Sequence, residues 1–73
     1  DHIGLFAKDL SGMEKTLVDK NITYRTCLAS GGKLIQVFFL DPNGVQVELG
    51  YDADFEGVTP DNFRAVDAPG LGI

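Results

Sequence analysis

The sequence predicts an α+β fold in the order strand, helix, strand, strand, strand. Three observations carry this. Apolar and polar residues alternate over 45–51, apolar residues recur at helical spacing over 10–20, and an Asp-Pro-Asn-Gly turn at 41–44 joins the alternating run to a short, very apolar one.

Residues 2–7, His-Ile-Gly-Leu-Phe-Ala, read as the first strand. Ile3, Leu5 and Ala7 then fall on one face, and His2, Gly4 and Phe6 on the other. Residues 10–20 read as a helix. Ser11 and Glu14 have the spacing of a capping box, with Asp9 as an alternative N-cap. Leu10, Met13, Leu17 and Val18 form its apolar stripe. Gly12 costs the helix about 1 kcal/mol relative to Ala. Asn21 suits the left-handed position that ends it.

Residues 22–29 are rich in β formers and read as the second strand, and Ser30-Gly31-Gly32 as a hairpin tip. Residues 33–40, Lys-Leu-Ile-Gln-Val-Phe-Phe-Leu, read as a buried strand. In the turn that follows, Pro42 presets φ and Gly44 accepts a positive one. In the last strand Val45, Val47, Leu49 and Tyr51 share one face, and Gln46, Glu48 and Gly50 the other. The helix is expected to cover a floor of Ile3, Leu5, Val45, Val47 and Leu49. The opposite face carries His2, Gly4, Phe6, Gln46, Glu48 and Gly50, and suits a cavity or a second sheet. From Asp52 periodicity stops. Residues 52–73 read as an extended tail with a short helical turn over 60–63, so the chain divides into a module at 1–51 and a tail at 52–73.

With 73 residues and one cysteine, the chain has no disulfide framework and little core. Small folds of this kind gain stability from a partner subunit or a metal. The net charge is −5 and the six basic residues are scattered, which argues against a phosphate-tracking surface and hence against nucleic acid. No apolar run approaches the roughly 20 residues of a membrane helix. The lone Cys27 fits a reducing, cytoplasmic compartment. It has no His neighbour for nucleophilic work and is expected to act as a small buried hydrophobe. Gly31-Gly32 lacks the pattern of a phosphate loop.

Three pieces of sequence go further: Asp1-His2-Ile3 opening the first strand, Phe38-Phe39-Leu40-Asp41-Pro42-Asn43-Gly44 at the turn, and Val47-Glu48-Leu49 closing the last strand. In this order and spacing, residues 1–51 resemble the second module of the vicinal oxygen chelate superfamily. That superfamily includes glyoxalases, methylmalonyl-CoA epimerases, extradiol dioxygenases, and fosfomycin- and bleomycin-resistance proteins. The resemblance implies a four-stranded mixed sheet with its first and last strands side by side. It also implies that two βαβββ modules pair into a cup around one divalent metal (Zn, Fe, Mn or Ni). His2 and Glu48 occupy the ligand positions, and Glu48 is also the candidate catalytic base.

A module of this kind holds half a site. The other half is expected from a second module of the same parent chain or from a homodimer partner; the abrupt start at Asp1 favours a longer parent. The resemblance points to a glyoxalase-like lyase or isomerase acting on a small oxygenated substrate chelated to the metal. Extradiol ring cleavage fits less well, because Phe38 stands where those enzymes carry Tyr and His2 is the only histidine. The alternative is a metal-free small-molecule-binding protein of the bleomycin-resistance kind. Gln36 and Phe38 share a face of the third strand and are candidates to line the cup. Arg25 is a candidate to meet an anionic substrate. Phe55 and Phe63 are candidates to anchor the tail across a partner module.

Overall fold

Period-two burial organises the molecule. The computed structural model describes residues 2–71, with side chains from residue 4 onward. Four strands form: β1 (His2–Ala7), β2 (Tyr24–Ala29), β3 (Leu34–Leu40) and β4 (Gln46–Asp52). They make one open mixed sheet in the spatial order β1-β4-β3-β2. β4 runs antiparallel to β3 and parallel to β1, and β2 runs antiparallel to β3. The α+β class, the mixed sheet and the single main helix are as expected, and so is the placement of β1 beside β4.

The main helix, α1 (Leu10–Asp19), packs Leu10 and Leu17 into a core with Tyr24, Ile35, Val37, Leu49, Tyr51 and Ala53. The floor beneath α1 differs from the expected one. It lies over the two central strands, where Ile35, Val37 and Tyr51 are fully buried, while Leu5 on edge strand β1 stays 56% exposed. One ten-residue helix, about 15 Å long, cannot cover four strands. Val45 precedes β4 and is only partly buried. Val18, expected in the stripe, is exposed.

The helix ends follow local chemistry. Asp9, not Ser11, caps the N-terminus, accepting from the Gly12 N–H at 3.1 Å. A Cβ at position 12 would overlap the Asp9 carboxylate, so glycine here makes the cap possible. At the other end Asn21 takes φ 57°, and the N–H groups of Ile22 and Asn21 donate to the carbonyls of Leu17 and Val18, a Schellman closure. The 41–44 turn forms with the Gly44 N–H donating to Asp41 O, and Asp41 Oδ1 also accepts from the N–H groups of Asn43 and Val45.

The residues after β4 are more structured than their lack of periodicity foretells. A short helix, α2 (Ala53–Glu56), is capped by Asp52, which accepts from the Asp54 N–H at 3.0 Å. Glu56 then reaches the start of α1, its two oxygens accepting from the N–H groups of Asp9 (3.0 Å) and Leu10 (2.9 Å). These donors have no partner within their own helix, and a negative charge is favoured there. Around residue 60 the chain turns, with Asn62 and Phe63 donating to Thr59 O. Val58, Phe63 and Val66 pack on the main core. Phe63 is thus engaged within its own chain, and exposed Phe55 lies under Lys8 at 4.9 Å.

Two tyrosines sense this packing. Tyr24 donates to Glu14 at 2.8 Å. Burial, then that hydrogen bond and the Glu14 charge, pushes its pKa from 10.0 up to about 12. Tyr51 is raised by burial, with the charges of Glu56, Asp9 and Glu14 adding. A raised folded pKa means the native state holds its proton where the unfolded chain has released it. This stability is complete below pH 10 and drains away as pH rises toward about 12. An ultraviolet titration should therefore show Tyr24 neutral and Tyr51 less than half ionised at pH 10, with Tyr24 ionisation tracking alkaline unfolding; half-ionisation of either phenol at pH 10 in folded protein would contradict this.

A second expectation concerns Gly12. Alanine normally stabilises a helix over glycine by about 1 kcal/mol, but here it displaces a cap of similar worth. Gly12→Ala should leave the urea midpoint nearly unchanged, yet stabilise by about 1 kcal/mol in an Asp9→Gly background, where no carboxylate obstructs it. Full stabilisation in the wild-type background would refute the clash.

Candidate functional site

The sheet face turned away from α1 carries the candidate residues, and register places them. One row across the sheet reads Arg25, Phe38, Glu48, Gly4, and the next reads Cys27, Gln36, Gly50, Phe6. His2 is in register with Gln46, so ladder positions 2 and 48 belong to the same side of the pleat, two residues apart along the paired strands. The side chains of His2 and Ile3 lie outside the described residues, as does all of Asp1.

Glu48 is half-buried, and its surroundings are built from three strands. The Gln36 amide donates to Glu48 Oε2 at 2.9 Å. On its far side, Gln36 Oε1 accepts from the Cys27 thiol at 3.2 Å. Gln36 and Glu48 sit diagonally on neighbouring strands, within reach of long side chains. Next to Glu48 lies a hollow of about 260 Å³ lined by Gly4, Leu5, Phe6, Leu34, Glu48 and Gly50. Its walls are mainly apolar, with one carboxylate.

The opposite end of the face is closed by the chain itself. Val66 and Thr26 hold each other twice: the Thr26 N–H donates to Val66 O at 2.9 Å, and the Val66 N–H donates to Thr26 Oγ1 at 2.8 Å. The tail thereby adds to the free edge of β2, which would otherwise present unpaired backbone groups. Beyond this clamp Ala68 and Leu71 lie over Phe38 and Cys27, leaving Phe38 only 5% exposed. Arg25 follows the same segment, donating to Leu71 O at 3.2 Å and standing 3.9 Å from Asp67.

The structure thus brings Gln36 and Glu48 together, puts Phe38 under the tail and engages Arg25 with the tail. Cys27, expected to be merely a buried hydrophobe, turns out to be a hydrogen-bond partner of Gln36. Parity along β2 and β3 could have shown that pair; nothing in the tail's sequence announces its return across β2. Among the described residues no group of three or more His, Cys, Asp or Glu could hold a metal ion. No helix among them is long and apolar enough to cross a membrane. No protein-family model, curated protein or solved structure matches the chain.

The tail clamp has a measurable consequence. Thr26→Val removes the acceptor of the Val66 N–H but keeps the shape, so it should cost about 1 kcal/mol. Amide hydrogen exchange at Val66 should accelerate, while Ile35 and Val37 on β3 remain among the best-protected amides. Unaltered exchange at Val66 would show that the clamp is not holding the tail.

Proposed function

We propose that this chain is one βαβββ module of a two-module, divalent-metal-dependent enzyme of the vicinal oxygen chelate kind, contributing His2 and Glu48 as ligands. One observation supports it above the others: β1 and β4 lie side by side, with positions 2 and 48 on the same side of the pleat and the Glu48 carboxylate held there by Gln36. A half-buried carboxylate on this face offers an oxygen donor to a divalent cation. It is one donor, or two with His2, where a catalytic site uses three protein ligands and an open position. The residues present therefore fit half a centre. A second module, from the same parent chain or a second copy, supplies the rest, and its approach is over the β1–β4 end, where Phe6 is 88% exposed. A lone thiol fits a reducing, cytoplasmic setting.

When bound, the metal would act as a Lewis acid toward a small substrate with adjacent oxygens. Glu48 would hold the cation and, through the same carboxylate, accept a proton from substrate. Covered by the second module, the hollow beside it would exclude water, and its apolar walls would keep the substrate's polar end directed at the carboxylate. The activity proposed on the resemblance is that of a glyoxalase-like lyase or isomerase. A binding protein without metal would use the same hollow as its pocket.

Metal content and assembly state decide between these. At concentrations where copies pair, the purified chain should take up about one zinc or manganese ion per two modules, and both His2→Ala and Glu48→Gln should weaken uptake by at least about 10-fold. Paired copies with no affinity for either ion would eliminate the metal-dependent reading and leave the binding protein.

A further inference from the structure

Gln36 stands at the centre of a relay of side chains that crosses three strands of the open face. Its amide has two unlike ends, and its neighbours demand opposite things. Glu48 is an acceptor, so it requires the amide NH₂; the flipped amide would set two oxygens against each other. The Cys27 thiol donates to the amide oxygen on the other side. Both contacts are satisfied in one orientation only. The amide is also held by its strand: Gln36 is flanked at 35 and 37 by residues with no exposure. Gln36 therefore offers its N–H from a rigid element, and hydrogen bonds to ligand carboxylates are what fix ligand geometry in metal sites.

We propose that Gln36 is a positioning residue that, oriented by Cys27, sets the rotamer from which Glu48 ligates a divalent cation. The inference rests on the metal reading above for its purpose, but not for its geometry. It moves Gln36 from the substrate-lining role expected of it to a role behind the ligand. It also gives the lone cysteine a task that requires a donor, not a nucleophile. A hydroxyl in its place would serve; a methyl would not.

Two measurements on the full chain test this. Calorimetric titration with zinc and with manganese should show affinity falling about 10-fold or more in Gln36→Leu, a smaller loss in Cys27→Ala, and near wild-type binding in Cys27→Ser. In the metal-free protein, the Gln36 side-chain amide protons should resonate away from solvent-exposed values and exchange slowly. Both signatures should vanish in Glu48→Ala, weaken in Cys27→Ala and persist in Cys27→Ser. A folded Gln36→Leu that binds both ions as tightly as wild type would overturn the proposal, as would Gln36 amide signals indifferent to Glu48→Ala. Should Gln36→Leu fail to fold, the two cysteine variants and the amide signals still decide. If paired wild-type copies bind neither ion while the amide signals respond as expected, the metal reading falls and the positioning of Glu48 stands.

Discussion

A four-stranded sheet has two faces, and this chain has one main helix to cover them. Nearly everything else follows from that imbalance. Alternation along β3 and β4 sends Ile35, Val37, Leu49 and Tyr51 toward α1, and the same alternation must send Gln36, Phe38, Glu48 and Gly50 the other way. A slip of one residue would exchange the two sets. Burial of Ile35, Val37 and Tyr51, none of which retains any exposure, makes that slip prohibitively costly. The polar face is thus a by-product of the core: Glu48 is on it because its neighbours Val47 and Leu49 are not.

The chain resolves the uncovered face in two ways. At the β2 end it uses its own tail, bonded through Thr26 and Val66 and packed through Ala68 and Leu71 on Phe38. At the β1 end it leaves the face open, with Phe6 and the Glu48 hollow exposed to whatever lies beyond. The asymmetry confines the open part of that face to the β1–β4 side. It also removes Phe38 and Arg25 from easy contact with a small ligand, since both already serve the tail.

Distant segments also stabilise one another through charge. α1 begins after a strand and lacks acidic residues in its first turn, so beyond the Gly12 N–H that Asp9 caps, its leading N–H groups need an acceptor from elsewhere. Glu56, some 47 positions after Asp9, accepts from two of them. The short α2 has little intrinsic stability, since an isolated single turn does not persist in water. It forms because Asp52 caps it, Ala53 is buried, and Glu56 has a fixed destination. Tail, helix and sheet are tied into one unit for this reason.

The strands, the main helix, the 41–44 turn and the face on which Glu48 lies were legible in the sequence, because each depends on interactions within a few residues or on strict period two. Asn21 and the Schellman closure belong to the same local class. Tertiary structure alone decided the rest. That the helix floor sits on the central strands depends on sheet order and helix length, and no local pattern carries the sheet order. Capping of α1 by Glu56, the clamp of Val66 on Thr26, and the Cys27–Gln36–Glu48 relay join residues between 9 and 47 positions apart. Such contacts depend on where the whole backbone travels. Glu48 itself shows the division: alternation determined its face, and only the pairing of β2, β3 and β4 determined what holds its carboxylate there.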